Sequence, residues 1–213
     1  MGHTSGTSKA AMNTEKAHIQ KTLKMIQILL IGDSISEGYT PFVKDFFAGN
    51  ADVHRPNENC GSTHLGLEKL DAWLGETRWD VIHFNWGLHD LRCVEENGEF
   101  VVIPTGIHFV PLTDYEENLR SLVGRLKQTG AKLIWCTSTP VPKGCFWRVE
   151  NDEVRFNEVA ARVMRDENIP VSHLHEAVSP RLLEFQKPND VHFNVAGSAF
   201  MGKKVFEAIK RLI

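Results

Sequence analysis

The sequence predicts an α/β fold, a three-layer α/β/α sandwich around a parallel five-stranded sheet. Short apolar runs alternate with longer amphipathic ones along the whole chain. Strands separated by helices pair in parallel through right-handed crossovers. The polar clusters also fall directly after the apolar runs, on the carboxyl edge where such sheets carry their function. No repeat, low-complexity linker or charge block divides the chain, and 213 residues suffice for one domain with a sizeable core.

Residues 25–31, MIQILLI, read as a buried strand. After Gly32-Asp33-Ser34 a helix follows, with Phe42, Val43, Phe46 and Phe47 at helical spacing. Residues 51–54 form a short second strand. Residues 62–74 are helical, with Leu67, Leu70 and Leu74 on one face, and residues 80–85 are the third strand. Residues 96–111, rich in Val, Ile and Phe with Gly98 and Gly106, read as a hairpin or irregular excursion. Thr113-Asp114-Tyr115-Glu116 has the capping-box pattern and opens a helix to about Gln128, which Gly130 stops. Residues 131–136 are the fourth strand. A polar loop at 141–150 leads to a helix over 152–167, and residues 170–174 are a further strand. Residues 195–212 close the chain as an amphipathic helix with Ala199, Phe200, Phe206 and Ile209 inward. Residues 1–24 are polar and without the apolar core of a signal peptide. They are expected to be a flexible tail ahead of one domain at 25–213, and the chain is expected to be cytoplasmic unless a native leader was removed.

The formal net charge of −3 provides no electrostatic footprint for nucleic acid. The apolar runs are strand-sized, so no membrane span is expected. No Gly-rich phosphate loop follows the first strand, which disfavours a nucleotide binder, and no cofactor is expected. Cys60, Cys93, Cys136 and Cys145 have neither CxxC nor zinc-type spacing and read as free thiols. His173 and His175 form an HxH pair without a nearby third ligand, so no metal is expected. His83, inside an apolar strand, reads as a satisfied core histidine.

Gly32-Asp33-Ser34 taken alone is a helix cap. Its neighbours across the sheet edge add the parts of serine chemistry: a hydroxyl, a base, a group to orient the base, and donors for an oxyanion. His192 is the best base, because it lies in a loop beside an acid. Asp190 stands two residues before it, and in an extended segment such positions project to one side. Gly61, at a helix start, has a backbone N–H that no side chain obstructs. Trp86 adjoins Gly87-Leu88-His89-Asp90 and is expected to line the substrate pocket. Phe146 and Trp147 fit a pocket wall or a loop anchor equally well. Asp33 braces the turn, Asp90 holds the third-strand loop, Cys60 packs, and Arg148 and Arg155 read as solvated surface, with contact to an anionic substrate as the alternative. GxSxG is absent, so the α/β-hydrolase elbow is not supported.

In this order, Gly-Asp-Ser near the N-terminus, Gly61 after the second strand, Gly87-Leu88-His89-Asp90 after the third and Asp190-Val191-His192 before the last helix, the chain resembles the GDSL, or SGNH, hydrolase superfamily from Met25 onward. The resemblance implies a flavodoxin-like sheet, Ser34 as nucleophile, His192 as base, and the Ser34 and Gly61 N–H groups as oxyanion donors. Two blocks depart from the family pattern. His89 stands where Gly-x-Asn-Asp has its Asn, and a histidine can donate one ring N–H, or two when protonated. Asn189 stands where Asp-x-x-His has its Asp, leaving either Asp190 or a backbone carbonyl to orient His192. Asn-Trp-Gly-Leu-His-Asp-Leu with Asp-Val-His looks like a recurrent subgroup. The resemblance implies a serine esterase acting on short-chain acyl esters of small molecules or carbohydrates, such as acetyl esters. An acyltransferase using the same acyl-enzyme and a catalytically silent carbohydrate-binding relic are the alternatives.

Overall fold

The computed structural model describes residues 25–95, 97–101 and 107–213. The expected tail at 1–24 and much of the excursion at 96–111 lie outside those residues. Strand β1 (Ile26–Ile31) is an interior strand of the sheet, and Ile28 to Ile31 are fully buried. A strand covered on both faces has no polar side, which is why its sequence is a solid apolar run. With β2 (Ala51–His54), β3 (Val81–Phe84), β4 (Lys132–Cys136) and β5 (Val171–Ser172) it forms a fully parallel sheet in the order β2-β1-β3-β4-β5. The order reverses beside β1, so the loops after β1 and β3 diverge and leave a crevice at their carboxyl ends.

Helix α1 (Ser34–Phe47) packs on the last helix, α7 (Val195–Lys210), and covers one face. Helices α2 (Thr63–Leu74), α3 (Leu112–Gln128) and α4 (Glu153–Asp166) pack in succession over the other. Short helices α5 (Leu174–Val178) and α6 (Leu182–Phe185) join β5 to α7. The three-layer α/β/α sandwich is therefore the observed fold. None of the described helices is long and apolar enough to cross a membrane.

Local expectations differ at four places. The capping box does not form: α3 starts at Leu112 with Pro111 at the cap, and Thr113 Oγ1 donates to Asp114 instead. Glu116 is drawn away to Arg120 and Arg162. The fifth strand has only Val171–Ser172, because Leu174 already opens α5. On α2 the buried stripe is Thr63, Gly66, Leu70 and Trp73, with Leu67 and Leu74 at its margins. On α7 the inner face is Gly197, Ser198, Met201, Gly202, Val205 and Ile209, whereas Ala199, Phe200 and Phe206 flank it. Small residues win there because the helices cross closely: a Cβ on Gly202 would lie 2.7 Å from Phe42 Cβ and 3.1 Å from the Tyr39 carbonyl.

Candidate active site

β1 ends at Gly32, and Asp33 caps α1 by accepting the Ile35 N–H at 2.9 Å. Ser34 is the first residue of α1, so its own N–H has no carbonyl one turn back and is an orphan donor at the positive end of the helix. Asp33 is therefore the cap, and the turn it closes places Ser34 at the start of the helix. Burial of Asp33 raises its carboxyl, against the pull of the Ile35 N–H and the charges of Arg148, His192 and Arg92.

The second arm of the site is the loop between α6 and α7. Gln186 pairs with Phe193, the Lys187 N–H donates to the His192 carbonyl at 2.9 Å, and Gln186 Nε2 ties the loop to the Pro140 carbonyl at 2.7 Å. Within it, Asn189 takes φ 56° and the Asp190 N–H donates to the Lys187 carbonyl. The segment is thus a turn, not the extended stretch expected from sequence. Asp190 still reaches His192, because an Asp side chain readily accepts from the backbone two residues on. Its Oδ1 accepts the His192 N–H at 3.1 Å and faces His192 Nδ1 at 2.6 Å. His192 Nε2 lies 2.9 Å from Ser34 Oγ. With Nδ1 donating to the carboxylate, Nε2 is free to accept the serine proton. Burial pushes Asp190 up, but the hydrogen bonds and charge of His192 outweigh it and hold the carboxyl below its ordinary range.

On the opposite wall His89 Nε2 faces Arg92 Nη2 at 3.3 Å. A guanidinium can only donate, so Nε2 is the bare nitrogen and the ring proton sits on Nδ1. Burial, reinforced by Arg92, Arg148 and His192, pushes His89 down to about 3. The ring is therefore neutral, with one N–H, and the doubly donating form is excluded at working pH. A Cβ on Gly61 would lie 3.9 Å from His89 Nδ1, so the two groups border the same spot. The Gly61 N–H, expected to be unobstructed, donates to Asn59 Oδ1 at 2.9 Å. Gly61 takes φ 54°, and the Asn59 side chain closes the tight turn that this conformation makes.

Trp86 does not reach the cleft. It is 1% exposed, its indole N–H donates to the Cys60 carbonyl at 3.2 Å, and its ring lies against Gly66. Just beyond the end of β3, it packs against α2, which adjacency in sequence to His89 did not reveal. The aromatic wall is instead Phe146 and Trp147, with Arg92 and Arg148 beside them, in a cleft of about 710 Å³ that opens over Ser34. Trp147 has φ 60°, a strained conformation for a bulky residue. Arg148, expected at the surface, is 6% exposed and its Nε donates to the Leu88 carbonyl at 2.8 Å. Arg155 does lie outside, paired with Asp152 at 3.2 Å.

Sequence reasoning missed Asn59 and Arg92. Arg92 stands three residues after His89, a spacing at which a turn brings the two side chains together. The other candidates are structural. Asp90 is buried and accepts from both the N–H and hydroxyl of Thr63. All four cysteines are free and buried, and burial pushes the Cys60 thiol up to about 11. His83 is buried with both ring nitrogens unpartnered among the described residues, so it is a core histidine but not a satisfied one. His175 pairs with the buried Glu153, and His173 with Glu176.

Solved structures share this architecture across most of the chain. A lipase/acylhydrolase from Enterococcus faecalis superposes with a TM-score of 0.72 at 22% identity, covering 88% of this chain and 97% of its own. The acetyl xylan esterase AlAXEase gives 0.70 at 15% identity, over 86% and 100%. LAE5, an alpha/beta hydrolase enzyme from the metagenome of Lake Arreo, Spain, gives 0.69 at 14%, over 88% and 96%. No curated protein matches the chain in sequence. The family model of the GDSL-like lipases and acylhydrolases matches residues 30–200, a span that runs from β1 through the Ser34 turn and the His192 loop into α7. The chain belongs to the GDSL-like Lipase/Acylhydrolase family of ester hydrolases.

Proposed function

We propose that the protein is a serine esterase working through an acyl-enzyme on Ser34, with short acyl esters, such as acetyl groups on a carbohydrate, as substrates. The observation that carries this reading is the chain Ser34 Oγ, His192 Nε2, His192 Nδ1, Asp190 Oδ1, with steps of 2.9 Å and 2.6 Å. His192 takes the hydroxyl proton as Ser34 Oγ bonds to the ester carbon. The carbonyl oxygen becomes an oxyanion, held by the Ser34 N–H and by His89 Nδ1–H. The Gly61 N–H joins them once the Asn59 carboxamide releases it. Collapse expels the alcohol, which takes the proton from His192 Nε2, and water repeats the sequence on the acyl-enzyme.

One observation supports a small acyl group and another a carbohydrate alcohol. His89, Arg92, Arg148, Asn59 and Asp190 line the cleft over Ser34, so a long alkyl chain would lie against charged and polar groups. Aromatic rings at the rim, Phe146 and Trp147, suit stacking on the flat face of a sugar. The test is labelling of folded protein by a fluorophosphonate, followed by hydrolysis of p-nitrophenyl esters of rising chain length. Labelling at Ser34 and fastest turnover of acetate are expected; an unlabelled Ser34 overturns the enzyme reading, and a preference for long chains overturns the acyl assignment.

A further inference from the structure

Two guanidiniums stand in the wall of this cleft, Arg92 and Arg148. Neither has a carboxylate within ion-pair distance among the described residues; Arg55, Arg120, Arg125, Arg155, Arg162 and Arg181 each have one, and the other arginines without one, Arg78, Arg165 and Arg211, are exposed. Arg148 is 6% exposed, and its one hydrogen bond among the described residues uses Nε. Arg92 has the converse arrangement: Nη2 donates to His89 while Nε is buried without an acceptor. Buried guanidinium nitrogens are costly unless an acceptor meets them.

The acids nearby face other groups. Asp190 accepts from His192 at both ring and backbone. Asp33 accepts from Ile35 and is buried beneath the Ser34 turn. Neither acid lies within ion-pair distance of Arg92 or Arg148, so both guanidiniums stand unpaired in the cleft wall, and burial together with Arg148 presses the Arg92 guanidinium down to about 10. Arg92 is also held in place, 5.3 Å over the Phe100 ring and 5.8 Å from that of Trp147. A positioned guanidinium with spare donors beside a nucleophile is a receptor for a planar anion.

We propose that the ester this site hydrolyses carries a carboxylate, which seats against Arg92 and Arg148 while the ester carbonyl lies over Ser34. The inference rests on ester hydrolysis at Ser34 and narrows it to acidic esters. The carboxylate can belong to the acyl group, as in the half-ester of a diacid, or to the alcohol, as in an acetylated uronate. Trp147 and Phe146 supply a stacking surface for the ring in the second case.

The experiment compares two matched pairs on the full chain. For the acyl side the pair is p-nitrophenyl hydrogen succinate against its neutral methyl succinate. For the alcohol side it is acetylated galacturonic acid against acetylated galactose. In one pair kcat/KM for the charged member is expected to exceed the neutral one by about tenfold or more, and that pair identifies the side. Added salt is expected to erode the preference, leaving the neutral rate in place. Arg92→Gln and Arg148→Gln are each expected to reduce the charged-to-neutral ratio about fivefold or more, with Lys in either place retaining part of it. The ratio is internal to each variant, so loss of folded protein does not mimic the effect. Neutral esters turned over as fast as charged ones in both pairs overturn this proposal and leave the esterase intact. A wild-type preference that neither Gln variant reduces also overturns it. No turnover of any ester, with Ser34 unlabelled, overturns the esterase reading itself.

Discussion

His89 has its proton placed by a neighbour. Arg92 occupies Nε2, so Nδ1 carries the hydrogen and faces the spot bordered by Gly61. An asparagine amide in that position donates whatever its surroundings; a histidine donates only if something fixes its tautomer. His89→Ala is expected to lower kcat about 10²–10³-fold while leaving the melting temperature nearly unchanged, as loss of one oxyanion donor does. Because burial and nearby cations keep the ring neutral to about pH 3, His89 contributes no inflection to the pH–rate profile above that. Asp190 has a different task. Asp190→Asn is expected to reduce kcat about 10⁴-fold, since an amide facing Nδ1 permits the wrong tautomer; steady-state rates on p-nitrophenyl acetate measure both variants.

Among the elements, α2 shows how a helix can be capped from outside. Ser62 at its cap position makes no side-chain cap bond. The carboxylate of Asp90, from the loop after β3, takes the Thr63 N–H at 2.8 Å and the Thr63 hydroxyl at 2.5 Å instead. The cap thereby fastens the His89 loop to the helix that follows Gly61. Burial raises Asp90 to about 7, against the Thr63 bonds. A carboxyl raised on folding stabilises the fold fully below its unfolded value of about 3.9, and that contribution is lost as pH climbs through the folded value. Stability should therefore fall between about pH 4 and pH 7. Asp90→Asn retains the acceptor oxygen and should flatten that slope, as thermal melts across the range would show. Between α2 and β3, a Cβ on Gly66 would come within 2.9 Å of the rigid Trp86 indole. Gly66→Ala is expected to cost about 1–3 kcal/mol in denaturant unfolding.

At the scale of the whole molecule, the site joins residues 158 positions apart, Ser34 and His192. Ser34 starts α1, and the His192 loop leads into α7, so the α1–α7 crossing sets their separation. Gly202 permits that crossing, and the atoms it approaches include backbone that no rotamer change can move aside. Gly202→Ala is expected to cost about 1–3 kcal/mol in stability. It should also lower kcat with little change in KM, because shifting α7 lengthens the Ser34–His192 contact without touching the opposite wall. Chemical denaturation and steady-state kinetics on one preparation test both halves.

The sequence by itself determined the layered α/β fold and the edge on which polar residues gather. It did so because a strand buried on both faces must be apolar throughout, and the helices between strands impose parallel pairing. It also singled out Ser34, Gly61, His89, Asp190 and His192, since local spacing and motif order survive in one dimension. Only the tertiary structure decided which groups share a cavity and where each proton and hydrogen bond goes. Trp86 lies next to His89 in the chain yet points into the core, whereas Arg148 lies 59 positions further on and enters the cleft. Asp190 reaches His192 through a turn instead of an extended segment, and Asn59 holds the Gly61 N–H. Burial and side-chain direction depend on all the neighbours at once, and a linear pattern records only those nearby in sequence.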